Sequence, residues 1–539
     1  MSRPRNLLVK LKNISEQYSG NDDSDEDYLE SDDNDEDCLE SDDNDEDYEQ
    51  NDPNIETSID GTIWQKIQNE SEPGRSQCHN IFKEKSGPTG YAKRNIMKGK
   101  VNTAFSLIID DSMLDYIKTC TELEACRVLG SKWSLTRADL QAFVAVLYAR
   151  GAYQARNLNI ACLWNKKWGP AFFTQTMSRN RFTEIMKFLR FDKKSDRTQR
   201  LQTDKFTLIS KVWYAFIENS QNCYKPGANI TVDEQLYATK TRCRFTQYMP
   251  NKPDKFGIKF WLASDVKSKY ILNGFPYLGK DEARSPSTPL SEFVVLKLTE
   301  PFLKCGRNVT TDNFFTSISL AKKLLAKRTT LVGTIRRNKR ELPKPAKVMK
   351  DDMVRFSTQL YKSDNCTLTI YKSKPNKKVL LLSSMHKFVH IEKTGKCLPE
   401  TIQFYNTTKY GVDMTDQMAR KYSVKSKSNR WPVHVFFNIL DLASINAWIL
   451  YKETTGEKIS RQDFLFQLAE ELANDDAEIK KPDTGTSSNS KAISDNRKTC
   501  QIRYCNKNKA TNVCSQCNKY VCGKCSMERP SICKNCCVE

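Results

Sequence analysis

Three short stretches in the middle of the chain carry aspartates where the sequence predicts that a strand ends or a helix begins. They are Thr231–Leu236, Val309–Ser317 and Gly411–Met418. Asp233 and Asp312 follow β-branched runs that are typical of buried strands, whereas Asp413 follows a glycine and opens a helical pattern. Carboxylates gathered in this way would bind Mg²⁺, which prefers oxygen ligands. Two such ions about 4 Å apart promote in-line phosphoryl transfer, which is the chemistry that these residues predict.

Four further blocks of sequence accompany the aspartate stretches. They are Tyr248–Lys259, Gly274–Gly279, Val332–Pro343 and Asn429–Pro432. All these stretches together resemble the piggyBac family of DNA transposases, and the resemblance extends from about residue 177 to the C-terminus. It implies that Asp233, Asp312 and Asp413 bind Mg²⁺ or Mn²⁺. Asp416 matches a fourth family aspartate and shares a helix face with Asp413, so we expect it either to ligate metal or to orient a ligand or water.

The resemblance also implies an activity. PiggyBac-like enzymes excise their element through hairpinned ends and join those ends at TTAA targets. We therefore expect a cut-and-paste transposase whose partners are its terminal inverted repeats, TTAA target DNA and a second copy of itself, with no small-molecule substrate. A domesticated DNA-binding protein that keeps the fold without cutting is the alternative. Aspartates at all four family positions argue against it, because a protein that does not cut needs no metal pocket.

Charge is distributed unevenly along the chain. The 539 residues carry a formal net charge of +19, but residues 21–60 hold 21 acidic and no basic side chains. The rest of the chain therefore holds 45 acidic against 85 basic side chains. Such a basic body indicates a polyanionic partner such as DNA, although lysines placed for solubility are an alternative. No run of 18 or more uncharged apolar residues occurs, so we expect no membrane span.

Two groups of residues are candidate DNA contacts. The first group is Arg336, Arg337, Lys339 and Arg340. It follows a predicted core strand and suits phosphate contacts beside the active site, with a solvated loop as the alternative. The second group is the pair Arg430 and Trp431, which would stack on an unpaired base near a hairpin tip. A core position for Trp431 is the alternative.

Nine of the 19 cysteines lie in the last 40 residues, where three Cys-x₂-Cys pairs are a strong zinc signal. We expect two Zn²⁺ ions, and a protein-interaction module of the RING or PHD kind is the alternative interpretation of this segment. The resemblance implies one ion on Cys500, Cys505, Cys522 and Cys525, and a second ion on Cys514, Cys517, Cys533 and Cys536. Spacing alone does not establish this pairing. Nearby cations would contact transposon-end DNA and could direct import into the nucleus, the expected location; they are Arg497, Lys498, Arg503 and Lys507.

The predicted elements indicate a multidomain protein of α/β and α class. We predict a disordered acidic tail over 1–75, which either solubilises the protein or competes with DNA. A helical dimerisation and DNA-binding domain covers 100–228 and 423–475. An RNase H-like catalytic core covers 229–336 and 401–422, and a β-rich insertion covers 337–400. A linker over 476–497 leads to a cross-brace zinc module over 498–539. Asp265 also ends a strand-like run, but we interpret it as structural.

Overall fold

The computed structural model describes most of the chain up to residue 479 and part of the C-terminal segment. The described residues are 54–67, 82–250, 252–279, 284–348, 351–479, 498–502, 505, 508–510, 512–514 and 519–526. Residues up to Asp476 form one unit, and residues from Ala477 form a second unit. The acidic repeats and the low-complexity part of the expected linker lie outside the described residues.

The described residues form a helical stretch before the central strands, and strands mixed with helices after them. The strands are β1 (Ile55–Thr57), β2 (Ile63–Ile67), β3 (Gly87–Pro88), β4 (Tyr224–Lys225), β5 (Asn229–Ala238), β6 (Thr246–Tyr248), β7 (Phe256–Asp265), β8 (Ile271–Pro276), β9 (Asn308–Thr311), β10 (Thr330–Thr334), β11 (Thr358–Ser363), β12 (Cys366–Lys374), β13 (Lys377–Ser383), β14 (Lys498–Thr499) and β15 (Lys509–Ala510). The helices are α1 (Gly90–Asn95), α2 (Asn102–Phe105), α3 (Asp111–Leu129), α4 (Arg137–Ala152), α5 (Ile160–Leu163), α6 (Ala171–Thr176), α7 (Arg179–Phe188), α8 (Lys194–Arg200), α9 (Ser210–Cys223), α10 (Leu290–Thr299), α11 (Ile318–Ala326), α12 (Lys344–Lys347), α13 (Glu400–Thr408), α14 (Gly411–Lys421), α15 (Trp431–Thr455) and α16 (Arg461–Ile479).

One mixed sheet of eleven strands forms the centre of the first unit. Five of its strands have the order β8-β7-β5-β9-β10, in which β5, β9 and β10 are parallel. β7 is antiparallel to each strand that it pairs with, namely β5, β6 and β8. The strand predictions around the first two aspartates are confirmed, and the helix predicted at Ile318–Ala326 is confirmed as α11. β-Branched residues dominate β5 and β9 up to the two aspartates, and nearly all of these side chains are buried.

The strands of residues 337–400, which were expected to form a β-rich insertion, pair with the central sheet. β13 pairs with β10, with Val332 opposite Ser383, so β11, β12 and β13 extend the central sheet. Beyond them, β2 pairs with β11 and β1 pairs with β2. Residues 54–67 therefore belong to the folded unit, and the prediction that disorder extends to residue 75 is wrong for them. The physical reason is Trp64, which is fully buried and donates a hydrogen bond from Nε1 to the carbonyl of Glu341 at 2.8 Å.

Helices pack around the sheet, and their sequence signals agree with the structure. Thr136 and Asp139 form the expected capping box at the start of α4, and Ser178 caps α7.

Among the described residues, α15 is long and apolar enough to cross a membrane by length and composition, but 94% of its most apolar stretch is buried inside the protein. Its polar residue Asn446 exchanges hydrogen bonds with the backbone N–H and C=O of Ile271, which fixes α15 against β8.

Candidate active site

Register places the first two aspartates side by side. β5 and β9 are parallel, and Val232 lies opposite Thr311, so Asp233 and Asp312 are the next residues on neighbouring strands. β9 ends at Thr311, whereas β5 continues to Ala238. The expectation that a strand ends at each aspartate therefore holds for Asp312 and is wrong for Asp233. Asp233 lies level with the end of β9 and lines a cavity there.

The third aspartate reaches the same edge because α14 begins very close to β5. Gly411 is the first residue of α14, and a Cβ atom there would lie 2.6 Å from the hydroxyl oxygen of Thr231. Glycine is therefore required for this approach. The Thr231 hydroxyl also donates to the carbonyl of Thr408 at 2.6 Å, which ties the end of α13 to β5. These contacts place Asp413 in the first turn of α14, above the sheet edge.

A cavity of about 430 Å³ lies at this edge, and all three predicted aspartates line it. Its other side chains include Tyr405, Tyr410 and Lys409, and the Lys409 ammonium lies 4.7 Å from the Tyr410 ring centre. The structure thus brings together three carboxylates that are 79 and 101 residues apart in sequence. Oxygen donors at the rim of a cavity are the ligand set that suits Mg²⁺ or Mn²⁺.

The tightest carboxylate group in this region includes a residue that sequence reasoning missed. Carboxylate oxygens of Asp233, Glu234 and Asp312 all lie within 4.8 Å of one another. Glu234 lies between two lysines, with the Lys252 and Lys259 ammonium groups at 3.6 and 3.7 Å. Both lysines lie within the Tyr248–Lys259 block, which was the available signal.

The surroundings of the three aspartates disfavour the ionised form of their side chains. Burial, with the nearby charge of Glu234, raises the pKa of Asp312 to about 6. Burial, together with Glu234, Asp312 and Asp413, raises the pKa of Asp233 well above its ordinary value. Desolvation also raises the pKa of Asp413, although its side chain opens to solvent. A divalent cation would remove the repulsion among these groups, so the residues present fit such an ion.

Comparison with known proteins gives a consistent result. A family model described as Transposase IS4 matches residues 102–448, which is more than half of the chain. A cryo-EM structure of the piggyBac transposase synaptic complex with hairpin DNA superposes with a TM-score of 0.70 at 30% identity, over 84% of this chain and 100% of that one. The chain belongs to the piggyBac-type transposase family.

Human proteins of the piggyBac-type family are also similar in sequence. PiggyBac transposable element-derived protein 3 is 26% identical over 380 residues, and protein 2 of the same name is 23% identical over 374 residues. The chimeric ERCC6-PGBD3 protein is 26% identical over 380 residues. Each alignment covers 65% of this chain. The chain matches 61% of the length of proteins 3 and 2, and 34% of the length of the chimeric protein.

Asp416, the fourth aspartate of the piggyBac-type pattern, has partners for both carboxylate oxygens. Oδ1 accepts a hydrogen bond from Nε2 of Gln235 at 2.9 Å, and Oδ2 pairs with Nε of Arg420 at 2.8 Å. Asp416 is not among the residues that line the 430 Å³ cavity. Asp265, interpreted as structural, accepts hydrogen bonds from the backbone N–H groups of Gly227 and Ser268, both at 2.7 Å.

The basic loop after β10 lies beside the carboxylates. Arg336, Arg337 and Arg340 are exposed, and Lys339 is half-buried. Arg336 donates a long hydrogen bond of 3.4 Å to the side chain of Asn313, the residue after Asp312. Its positive charge partly offsets the raised pKa of Asp312. The hydrogen bond to Asn313 therefore places Arg336 next to Asp312 and the cavity.

The Arg430–Trp431 pair already has partners within the protein. The Arg430 guanidinium donates to the carbonyls of Leu189, at 2.5 Å, and Met186, near the end of α7. The Trp431 ring stacks on Phe206 at 5.7 Å and meets Phe245 edge-on at 5.0 Å. These contacts favour a role in joining α15 to its neighbours. A role in stacking on DNA remains a prediction.

A four-cysteine cluster forms in the second unit. Sulfur atoms of Cys500, Cys505, Cys522 and Cys525 all lie within 4.8 Å of one another. These are the four cysteines that the family resemblance assigned to one ion. Cys505 and Cys522 sulfurs are 3.6 Å apart, close to the ~3.8 Å separation expected for two ligands of a tetrahedral zinc–thiolate site.

Hydrogen bonds from Asn508 favour the thiolate form of one member of this cluster, Cys522, whereas burial and its cysteine neighbours raise the pKa of Cys525. The side-chain amide of Asn508 donates to the sulfurs of both Cys505 and Cys522 at 3.5 Å. That interaction is the main cause that lowers the pKa of Cys522 to about 6, and thiolates are the form that binds zinc. Cys514, expected on the second ion, is buried. The other predicted members of the zinc module lie outside the described side chains, namely Cys517, Cys533, Cys536, Arg497, Lys498, Arg503 and Lys507.

Proposed function

We propose that this chain is a DNA transposase that cuts the ends of its element and joins them to target DNA by phosphoryl transfer. The observation that carries the proposal is the convergence of Asp233, Asp312 and Asp413 on one cavity, with raised pKa values for all three carboxylates. Such carboxylates are poised to exchange protons for divalent cations. The superposed piggyBac transposase structure is a synaptic complex with hairpin DNA, which supports DNA as the substrate.

The three aspartates would hold Mg²⁺ or Mn²⁺, which would activate the attacking oxygen and stabilise the leaving oxygen of an in-line displacement. The chain's own residues define the place of reaction. Lys252 and Lys259 hold Glu234 at the side of the carboxylate group. Lys409 and Arg336 bring positive charge to the cavity rim and the adjoining loop, where DNA phosphates would approach.

The finer features of the proposal follow the family. We assign the strand order β8-β7-β5-β9-β10 to an RNase H-like catalytic core. The reaction would proceed through hairpinned transposon ends and integrate at TTAA, with two copies of the chain acting together in the nucleus. The four-cysteine cluster would bind one Zn²⁺, and the remaining cysteine pairs a second. The zinc module and the helical regions would bind the terminal repeats.

A second candidate function is DNA binding without cleavage. The names of the human relatives describe them as transposable element-derived proteins, which favours considering a domesticated role. The two candidates differ at the carboxylates, because a binder gains nothing from three repelling charges in one cavity. They also share the basic surface, so DNA affinity alone does not separate them.

A cleavage assay separates the two functions. The substrate would be a duplex carrying the element's own end beside TTAA, incubated with Mg²⁺ and full-length, zinc-loaded protein. We expect nicking and hairpin products from the wild type and from Asp364→Asn, whose exposed carboxylate lies in the turn between β11 and β12. Asp312→Asn should lose both products while keeping its DNA affinity. Tight binding without cleavage by the wild type would favour the non-cutting function.

A further inference from the structure

A chain of side-chain hydrogen bonds connects three elements behind the carboxylate cavity. The Asn438 amide on α15 donates to Oε1 of Gln235 on β5 at 2.8 Å. The Gln235 amide donates in turn to Oδ1 of Asp416 on α14 at 2.9 Å. The other Asp416 oxygen pairs with Arg420 at 2.8 Å. We call Asn438, Gln235 and Asp416 the amide relay.

The amide relay connects the two elements that carry Asp233 and Asp413, namely β5 and α14. Gln235 is two residues beyond Asp233 on β5, so the two side chains share a face of the strand. Asp416 is three residues beyond Asp413 on α14, so these two share a helix face. The Gln235–Asp416 hydrogen bond therefore sets the separation between the strand that carries Asp233 and the helix that carries Asp413.

Donor and acceptor chemistry fixes the direction of the relay. An ionised Asp416 only accepts hydrogen bonds, so Gln235 must turn its NH₂ group towards it. Oε1 of Gln235 then faces α15, where Asn438 must present its own NH₂ group. Gln235 is 1% exposed and Asn438 is fully buried, so a reversed amide would leave polar atoms facing one another without water to compensate.

We propose that Gln235 and Asn438 are positioning residues that hold Asp416, and through it α14, so that Asp413 faces Asp233 and Asp312 for metal binding. This inference rests on the proposed function, because it assigns a role within the same site. Asp416 acts in it as an orienting group, since both of its oxygens already accept from protein donors. The competing assignment makes Asp416 a direct metal ligand.

Two single substitutions and their combination test the relay. Gln235→Glu places a carboxylate against Asp416, and Asp416→Asn leaves one of its two donors facing an NH₂ group. The double variant Gln235→Glu with Asp416→Asn restores every hydrogen bond, because the Asn amide donates to the new Glu, whose other oxygen accepts from Asn438. It also keeps the net charge of the wild type. Ser444→Ala is the matched control, since Ser444 is buried on the same helix but bonds only within it.

The first readout is Mn²⁺ affinity, measured by electron paramagnetic resonance on full-length, zinc-loaded protein without DNA. We expect each single variant to lose at least tenfold in affinity, the double variant to recover to within threefold of wild type, and Ser444→Ala to be unchanged. An unrescued double variant would overturn the proposal in favour of Asp416 as a ligand. Single variants with lowered thermal stability but wild-type Mn²⁺ affinity would also overturn it, because the relay would then be structural only.

If the single variants fail to fold, Asn438→Ala provides another test, because it leaves the side chains of Gln235 and Asp416 in place. It removes only the donor that orients Gln235, and we expect about a threefold loss of Mn²⁺ affinity; an unchanged affinity would contradict the relay. DNA cleavage by the same proteins is recorded separately. If the wild type binds Mn²⁺ but does not cleave DNA, the result would count against the proposed function and not against the relay. If the wild type cleaves DNA but the relay variants keep wild-type Mn²⁺ affinity, the result would count against the relay alone.

Discussion

The carboxylate cavity and the four-cysteine cluster both gather metal-binding side chains, but their surroundings differ. The cavity lies at the edge of an eleven-stranded sheet within a large apolar core. The cluster lies in a small unit whose described core consists of six residues, three of them cysteines. In the first case the fold forces repelling carboxylates together, and the metal is needed for chemistry. In the second case the ligands are themselves much of the core, so we expect the metal to be needed for folding.

The largest expected effect concerns removal of metal from the cysteine unit. Structural zinc contributes roughly 10–16 kcal/mol in small zinc domains, so a zinc chelator should unfold residues 498–526 and leave the sheet-containing unit intact. Limited proteolysis with mass spectrometry of the full chain would measure this. Cys505→Ser should mimic the chelator, whereas Cys162→Ser, at an exposed cysteine outside the cluster, should not. Equal protease resistance with and without chelator would show that the unit folds without metal.

A substitution at Gly411 tests whether close packing positions the third aspartate. Gly411→Ala places a methyl group 2.6 Å from the Thr231 hydroxyl, and overpacking of this kind costs about 1–3 kcal/mol. We expect lower thermal stability of the sheet-containing unit together with weaker Mn²⁺ binding. Gly90→Ala is the control, because its new methyl group would have ordinary contacts only. A Gly411→Ala protein with unchanged stability and metal affinity would show that α14 has room to move.

The smallest expected effect concerns the basic loop. Arg336→Gln should reduce the slope of log affinity against log salt concentration by about 0.9, which is the contribution of one phosphate contact. Arg328→Gln is a suitable control, because Arg328 is an exposed arginine in the connection between α11 and β10, before the strand that Arg336 follows. Binding of the transposon-end duplex over a series of salt concentrations would measure both. Identical slopes for Arg336→Gln and wild type would remove Arg336 from the DNA contacts.

The gathering of the three aspartates on one cavity could be predicted from the sequence, because local signals and register agree there. The β-branched runs before Asp233 and Asp312 predict strands, and parallel pairing then makes those residues neighbours. Glu234 was missed because its proximity to Asp233 and Asp312, and its ion pairs with Lys252 and Lys259, depend on tertiary packing that a local pattern does not show. β1 and β2 were missed because the acidic composition around them hides Trp64, whose burial depends on contacts 277 residues away. Such distant partners are not visible in a local pattern.

Asp312 is buried in a position that disfavours its negative charge, and we expect a divalent cation to offset this penalty. The pKa of Asp312 is raised to about 6 from an ordinary 3.8, so the native state binds more protons than the unfolded state between these values. Stability should therefore fall as pH rises from 4 to 6. Above pH 6 the metal-free wild type should be about 1–3 kcal/mol less stable than Asp312→Asn.

The most direct test is the unfolding free energy of the sheet-containing unit, measured for wild type and Asp312→Asn at pH 4 and pH 7.5, with and without Mg²⁺. We expect that Asp312→Asn is the more stable protein at pH 7.5 without metal, that the difference shrinks at pH 4, and that Mg²⁺ stabilises only the wild type. A wild type that is more stable than Asp312→Asn without metal, or that does not respond to Mg²⁺, would contradict this expectation.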